Sequence, residues 1–147
     1  MISESVISPI ETVFQMARIL VIDDDEAVRS VLTILLGQKA HQVVTAQDGR
    51  RGLKALDSDH FDLLIVDIFM PEMDGLEAIR LVRKSKPDLP IIVISGSAGA
   101  STPDFLNMAT KLGAIESIQK PFRPNTLFGV VEKCLQSGAP GKTTPSL

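Results

Sequence analysis

The chain has 147 residues, of which 44% are hydrophobic and 22% charged, and its formal net charge is -3 at pH 7. This length fits one globular domain with a proper core, and an acidic balance without a basic stripe argues against nucleic-acid binding. No apolar run approaches the ~20 residues that a membrane span requires, so we expect no membrane insertion.

Residues 1–17 form an extension ahead of the first predicted strand. Ile10, Val13, Phe14 and Ala17 share one helical face, which fits either a short amphipathic helix or a flexible leader. The segment contains two glutamates, a proline and no positively charged start, so it is a poor signal peptide and we expect a cytoplasmic protein. The single cysteine, Cys134, excludes an internal disulfide and is expected on the buried side of the last helix.

Five apolar strands alternate with five helices between residues 18 and 136, which we predict to be one domain. This alternation is typical of an α/β fold with a parallel sheet and helices on both faces. Residues 137–147 are rich in Gly, Pro, Ser and Thr, which predicts a disordered tail. The predicted strands are Arg18–Ile22, Gln42–Ala46, 63–66, 91–94 and 114–119, and the predicted helices are Glu26–Gln38, 49–57, 75–84, 104–112 and 125–135.

The stretch DLLIVDIFMPEMDG, residues 62–75, is the centre of the chain. Its four consecutive apolar residues show no alternation, which favours a strand that is covered on both faces. The strand ends abruptly on Asp67, and open α/β sheets bind ligands outside the carboxyl ends of their strands. We therefore interpret Asp67 as a nucleophile that accepts a phosphoryl group.

Four of the five predicted strands stop on a residue with useful chemistry. These residues are Asp23 with Asp24, then Asp67, Ser95 and Lys120. Parallel strands bring their carboxyl ends to one edge of the sheet, so the five side chains should converge. Each has a plain alternative as a helix cap, a turn residue or a solvated lysine, but the alternatives do not explain the coincidence.

Three neighbouring carboxylates repel one another, so such a cluster persists with a cation or a bound proton. Oxygen ligands favour a hard dication, and Mg²⁺ takes one or two carboxylates and completes its shell with water and phosphate oxygens. No His or Cys lies near these residues in the sequence, which argues against zinc. His41 and His60 lie in connections away from the predicted site, and we expect both on the surface.

These motifs resemble the receiver domain of two-component response regulators. VIDDDE is similar to its acidic pocket, VDIFMPEMDG to its phosphoacceptor segment, ISG to its hydroxyl position and KPF to its lysine–proline pair. The resemblance spans about residues 18–135 and implies a flavodoxin-like fold with strand order 2-1-3-4-5. It also implies that the backbone carbonyl of Phe69 is a Mg²⁺ ligand beside Asp23, Asp24 and Asp67, and that the Lys120–Pro121 bond is cis.

The resemblance implies a signalling function. A histidine kinase or histidine phosphotransfer protein would donate the phosphoryl group to Asp67, and Ser95 would then move toward it. The response would pass to a downstream partner through the surface made by the fourth helix, fifth strand and fifth helix. We expect no attached output domain and no enzymatic activity beyond self-phosphorylation and slow autodephosphorylation.

Two departures from the family pattern lead to further hypotheses. Ser117 occupies a position on the fifth strand where relatives often carry an aromatic side chain, so an aromatic rotamer switch is not available there. Phe69 lies two residues after Asp67, and we hypothesise that its bulky ring shields the acyl phosphate from water.

Two other functions remain open at the level of the sequence. The first is a metal-dependent phosphohydrolase with an aspartyl nucleophile, which would need an acid at the position of Phe69. The second is a receiver-like binding module that is never phosphorylated, and the intact set of polar strand ends argues against it.

Overall fold

A computed structural model describes residues 16–70, 75–96 and 102–137, with residues 102–105 and 137 described by their backbone alone. Residues 1–15 of the N-terminal extension, which fits either a short helix or a flexible leader, and residues 138–147 of the predicted disordered tail lie outside the described residues. None of the described helices has the length and hydropathy needed to cross a membrane.

The described residues form five strands and five helices in strict alternation, as predicted. The elements are β1 (Arg18–Ile22), α1 (Glu26–Gln38), β2 (Gln42–Ala46), α2 (Gly49–Ser58), β3 (Leu63–Asp67), α3 (Gly75–Ser85), β4 (Ile91–Ser95), α4 (Thr102–Leu112), β5 (Glu116–Gln119) and α5 (Pro124–Ser137).

Three boundaries differ from the prediction by two residues: α4 begins at Thr102, α5 ends at Ser137, and β5 begins at Glu116 rather than at residue 114. The Ala114 N–H donates to the Ala109 carbonyl, so Ala114 still closes the end of α4. Gly113 makes this possible because it adopts a φ of 119°, a conformation that side chains disfavour.

All strands are parallel and lie in the order β2-β1-β3-β4-β5, which confirms the predicted flavodoxin-like fold. Neighbouring strands are closely in register, with Ile22 beside Val66 and Val66 beside Val93. Successive strand residues point to opposite faces of the sheet, and each face carries its own hydrophobic core. Double coverage explains why the central strands are continuous apolar runs.

Different helices pack against the two faces of the sheet. On one face, residues such as Ile22 and Val66 pack with Leu56 of α2 and Ile79 of α3. On the other face, Leu32 and Leu36 of α1 and Leu127, Val131 and Cys134 of α5 cover the strands. Cys134 is fully buried, as expected, and burial raises the pKa of its thiol to about 11.

The prediction that both histidines lie on the surface is only half right. His60 is exposed, whereas His41 is half-buried and its Nδ1 accepts a hydrogen bond of 3.1 Å from the Ala17 N–H. Burial lowers the pKa of His41, which favours the neutral ring that this hydrogen bond requires. His41 therefore pairs a main-chain donor just ahead of β1.

Candidate functional site

The carboxyl ends of β1 and β3 bring three aspartates together. Ile22 and Val66 are neighbours in the sheet, so Asp23 and Asp67, which follow them, leave the strands side by side. Asp23, Asp24 and Asp67 each offer a carboxylate oxygen, and these oxygens lie within 4.8 Å of one another. Asp23 and Asp67 are buried whereas Asp24 is exposed, so the cluster is open to solvent on one side.

Lys120 reaches this cluster from the end of β5. Its Nζ lies 3.1 Å from Asp23 Oδ2 and 3.4 Å from Asp67 Oδ2. The Lys120 N–H donates to the Ser95 carbonyl at 2.7 Å, which fixes the lysine backbone against the end of β4. The peptide bond between Lys120 and Pro121 is cis.

Ser95 is the last residue of β4 and is 1% exposed. Asp67 and Ile94 are neighbours in the sheet, which places Ser95 one residue beyond the level of the central carboxylate. Ser95 is thus a buried hydroxyl at the same edge of the sheet as the three aspartates and Lys120.

A main-chain hydrogen bond and a glycine shape the segment around Asp67. The Phe69 N–H donates to Asp67 Oδ1 at 3.0 Å, and the Phe69 side chain beside it is 38% exposed. Gly75 begins α3 directly against this strand end: a Cβ there would lie 2.3 Å from the Asp67 carbonyl oxygen. The sequence interpretation missed this role of Gly75, although the glycine that closes the central stretch was the signal for it.

Asp23 has one satisfied and one unsatisfied carboxylate oxygen. Oδ1 accepts a hydrogen bond of 2.9 Å from the Asp25 N–H. Oδ2 is fully buried and has no hydrogen-bond partner among the described residues, although the Lys120 ammonium lies in ionic contact with it. Arg29 of α1 supports this loop by donating from Nη1 to the Asp23 carbonyl at 2.9 Å, a contact that sequence alone did not indicate.

Burial and charge set the protonation of the two central groups. Burial raises the pKa of Asp67 to about 6, the negative charge of Asp23 adds to this, and the Phe69 N–H and Lys120 oppose it. Burial acts to lower the pKa of Lys120, but the negative charges of Asp67 and Asp23 outweigh it and raise the pKa. The lysine is therefore held as an ammonium while the central carboxylate resists ionisation.

The donor set fits a hard divalent cation. All three convergent side chains offer oxygen only, and the unsatisfied Asp23 Oδ2 is the buried lone pair that a cation would use. A dication would also offset the mutual repulsion that raises the pKa of Asp67. The geometry is therefore suited to a hard dication such as Mg²⁺, and Asp24 offers its carboxylate oxygen from the solvent side.

Comparison with known proteins gives one consistent result. The family model described as "Response regulator receiver domain" matches residues 19–132. The chain is 40% identical over 114 residues to the CAI-1 autoinducer sensor kinase/phosphatase CqsS of Vibrio cholerae, covering 78% of this chain and 17% of that protein. It is 38% identical over 130 residues to the DNA-binding transcriptional regulator NtrC of Azospirillum brasilense, covering 88% of this chain and 26% of that protein. The chain thus spans 17% and 26% of the length of these two relatives.

Solved structures give the same result. Chemotaxis protein CheY4 of Vibrio cholerae superposes with a TM-score of 0.75 at 30% identity, over 82% of this chain and 99% of that one. A CheY-like response regulator receiver domain protein from Methanospirillum hungatei gives a TM-score of 0.78 at 27% identity, over 84% and 97% of the two chains.

Proposed function

Because the chain belongs to the response regulator receiver domain family of two-component systems, we propose that Asp67 is the residue that accepts the phosphoryl group. The single observation that carries this assignment is the convergence of Asp23, Asp24 and Asp67 within 4.8 Å, with the Lys120 ammonium beside the buried pair. The acidic oxygens could hold a dication, and a dication together with the Lys120 ammonium would stabilise the charge of an anionic group during its transfer to a carboxylate.

In this proposal an Asp67 oxygen attacks phosphorus and forms a new O–P bond. The bond between phosphorus and the donor breaks, and the departing group keeps its electron pair; a histidine donor then takes up a proton. The Phe69 N–H holds Asp67 Oδ1 at 3.0 Å, which leaves Oδ2 as the oxygen oriented for attack.

The surrounding residues would stabilise the charge that spreads over the transferring phosphoryl oxygens. Lys120 already lies 3.4 Å from Asp67 Oδ2 and would pair with one phosphoryl oxygen. The Ser95 hydroxyl would donate a hydrogen bond to another. Receiver domains generally bind Mg²⁺ through acidic residues; here Asp23, Asp24, Asp67 and the Phe69 carbonyl would hold it, and it would neutralise part of the phosphoryl charge.

Intact-mass measurement after incubation with acetyl phosphate and Mg²⁺ tests the assignment. We expect the chain to gain one phosphoryl group, and we expect chelation of Mg²⁺ or the Asp67→Asn substitution to abolish the gain. Ser95→Ala should slow the gain without abolishing it, because Asp67 remains. A gain that survives Asp67→Asn would refute the assignment, and turnover of a phosphate ester would favour a phosphohydrolase instead.

Receiver domains act with histidine kinases or histidine phosphotransfer proteins, and we propose such a donor for this chain. We further propose that output leaves through the surface of α4, β5 and α5, which a downstream partner recognises. Met108 and Ile115 support this because they are large apolar side chains exposed there. Ser117 is exposed on β5, so the response would not use an aromatic rotamer at that position.

Hydrogen exchange in the presence of beryllofluoride, a phosphoryl analogue, tests the proposed output surface. We expect changed protection in α4 and β5 in the wild type and no change in Asp67→Asn. Changes confined to α1 and α2 would contradict an output through α4, β5 and α5.

A further inference from the structure

A cavity of about 790 Å³ opens beside the acceptor site, between the start of α1 and the start of α2. Asp24 and Met70 line the end of the cavity nearest the aspartate cluster. Asp24 belongs to that cluster, and Met70 follows Phe69 after β3, so this end of the cavity borders the aspartate cluster. An anion in this cavity would lie beside the N-terminal turns of both helices and next to Asp24.

Cationic side chains dominate the α2 side of this cavity. Arg50, Arg51 and Lys54 all line it, although the chain as a whole has a net charge of -3. Arg51 is committed to Asp48, with an ion pair of 2.6 Å. Arg50 and Lys54 form no ion pair with any residue in the described ranges, and both are exposed. At i and i+4 they lie on one face of the helix and present two positive charges together, although the Arg50 charge also helps to lower the pKa of Asp48.

Close packing fixes the position of these charges relative to the site. A Cβ at Gly52 would lie 2.2 Å from the Ile22 side chain, so only glycine lets α2 approach β1 this closely. Ile22 immediately precedes Asp23. The turn that carries Arg50 is therefore held beside the strand end that supplies the acidic cluster.

The charge balance at the cavity changes when the acidic cluster is neutralised. With a dication in place, the charges of Asp23, Asp24 and Asp67 are offset by the metal and by Lys120. Of the remaining charges on the cavity wall, Arg29, Arg50, Arg51 and Lys54 outnumber Glu26 and Asp48. The route to Asp67 is then net positive, and a positive cleft raises the local concentration and the encounter rate of anions.

We propose that Arg50 and Lys54 attract the anionic phosphodonor to Asp67 and thereby select donors by their negative charge. This inference rests on the proposed phosphoacceptor function. The chemistry recognised is a phosphoryl group that carries two negative charges, whether on a small acyl phosphate or on a protein histidine. Arg50 and Lys54 set the encounter, whereas Asp67, Lys120 and Ser95 carry out the transfer.

The test compares a charge-reversed pair with a matched pair elsewhere. The first variant is Arg50→Glu/Lys54→Glu. The control is Lys84→Glu/Lys111→Glu, which changes the net charge equally on exposed side chains in the last turns of α3 and α4. These turns lie at the opposite edge of the sheet from Asp67.

The initial rate of phosphorylation by acetyl phosphate is measured at saturating Mg²⁺, at about 20 mM and about 500 mM ionic strength. We expect the Arg50→Glu/Lys54→Glu variant to react roughly two- to fivefold more slowly at the lower ionic strength and equally fast at the higher one. The control variant should react like the wild type. Phosphoramidate, which carries less net negative charge near neutral pH, should show a smaller difference.

Mg²⁺ affinity, measured by calorimetry at low salt, gives a second readout of opposite sign. Removing positive charge should tighten Mg²⁺ binding by the Arg50→Glu/Lys54→Glu variant, whereas damage to the fold would weaken it.

A purified histidine phosphotransfer domain that phosphorylates the wild type provides a third measurement. If the Arg50→Glu/Lys54→Glu variant accepted the phosphoryl group more slowly from the phosphotransfer domain but equally fast from acetyl phosphate, selection by charge would be overturned. That result would indicate a direct contact between the two proteins instead.

Two further results would overturn the inference. Equal rates for wild type and the Arg50→Glu/Lys54→Glu variant at low salt would remove the role of α2 while leaving Asp67 as the acceptor. Failure of the wild type itself to gain a phosphoryl group would overturn the acceptor function, and this inference with it.

Discussion

Asp67 is a carboxylate in a place where burial and the charge of Asp23 disfavour ionisation. Its pKa in the folded chain is about 6, above the ordinary value of 3.8, so the native state holds this proton more tightly than the unfolded state. By linkage, stability falls as pH rises through the window from about 4 to about 6, where only the native state keeps the proton. Above that window Asp67 is ionised in both states, and burial of its charge lowers the stability of the native state by its full amount.

We therefore expect Asp67→Asn to stabilise the metal-free protein at pH 7.5 by roughly 1–3 kcal/mol, because the amide carries no charge to bury. The free energy of unfolding in urea with EDTA, followed from pH 4 to pH 7.5, checks this. The wild type should lose stability across the window relative to Asp67→Asn. Parallel curves for the two proteins would mean that Asp67 ionises in the native state as easily as in the unfolded state.

The Phe69 side chain is the second residue-level determinant of the acceptor site that a substitution can test. Its ring is 38% exposed beside the acceptor, while its N–H hydrogen-bonds Asp67 Oδ1 regardless of the side chain. We expect Phe69→Asn to shorten the lifetime of the aspartyl phosphate several-fold, because a polar side chain admits and orients water. Loss of the phosphoryl mass with time is the measurement, and Phe69→Leu, which keeps an apolar shield, should stay close to the wild type. An unchanged lifetime in Phe69→Asn would show that the ring does not limit access of water.

At the scale of elements, the start of α3 depends on the absence of a side chain at Gly75. The Cβ of an alanine would lie 2.3 Å from the Asp67 carbonyl and 2.4 Å from the Ile68 Cα. Both neighbours are backbone atoms, so the helix or the strand must shift. We expect Gly75→Ala to lower the free energy of unfolding by roughly 1–3 kcal/mol and to slow phosphorylation, because it displaces the strand end that bears Asp67.

The matched substitution is Gly129→Ala, on α5. Apart from the helix's own backbone and the adjacent residues, no atom of the described residues lies within 4 Å of a Cβ at this position, so alanine should stabilise the helix by about 0.5–1 kcal/mol. Urea denaturation of the two variants gives the comparison. If both variants were equally stable, the close approach at Gly75 would have no energetic consequence.

Arg83 connects three segments far from the acceptor. Its guanidinium donates to the carbonyls of Lys86 at 2.9 Å, Pro87 at 2.7 Å and Gly113 at 3.0 Å. These bonds tie the end of α3 to the turn between α4 and β5. We expect Arg83→Met to destabilise the fold by roughly 1–3 kcal/mol, because the partly buried Gly113 carbonyl loses its donor, whereas the Lys86 carbonyl keeps a hydrogen bond of 3.3 Å from the Leu89 N–H.

Arg80→Met is the control for Arg83. Arg80 lies on the same helix and forms an exposed ion pair with Glu77, so its loss should change stability by less than about 1 kcal/mol. Chemical denaturation measures both variants. A comparable loss of stability in both would show that the three carbonyls are satisfied equally well by water.

For the whole molecule, the order of elements and the location of the acidic site could be predicted because each follows from local pattern. Continuous apolar runs indicated buried strands, and Asp67 stood out because a charge directly follows such a run. The N-cap of α2 is equally local, because Asp48 immediately precedes the helix and accepts a hydrogen bond from the Arg51 N–H.

What could not be predicted are contacts between residues distant in the chain. Arg83 reaches the Gly113 carbonyl 30 positions away, and His41 accepts from the Ala17 N–H 24 positions away. Neither residue has a spacing or motif that marks it. Only the folded arrangement of helices and strands determines which carbonyl or N–H a long polar side chain meets.

Mg²⁺ should affect the stability of the whole molecule, since a ligand that binds the native site alone stabilises it by mass action. We expect saturating Mg²⁺ to raise the urea midpoint of the wild type and to stabilise Asp24→Asn only at roughly tenfold higher concentration or more. Urea denaturation of each protein at increasing Mg²⁺ concentrations, in buffers free of Ca²⁺, measures this dependence. An identical Mg²⁺ dependence in both proteins would exclude Asp24 as a ligand.

The Lys120 side chain spans the sheet from its border to its middle. It leaves β5, passes the end of β4 and meets aspartates that follow β1 and belong to β3. Whatever alters the electrical state of Asp67 therefore alters the force on an ammonium anchored two strands away. The loop that joins β5 to α5 begins at Lys120, so this change in force acts on the loop directly. A chain with serine at position 117 therefore still has a physical connection from the central acceptor to the edge of the sheet.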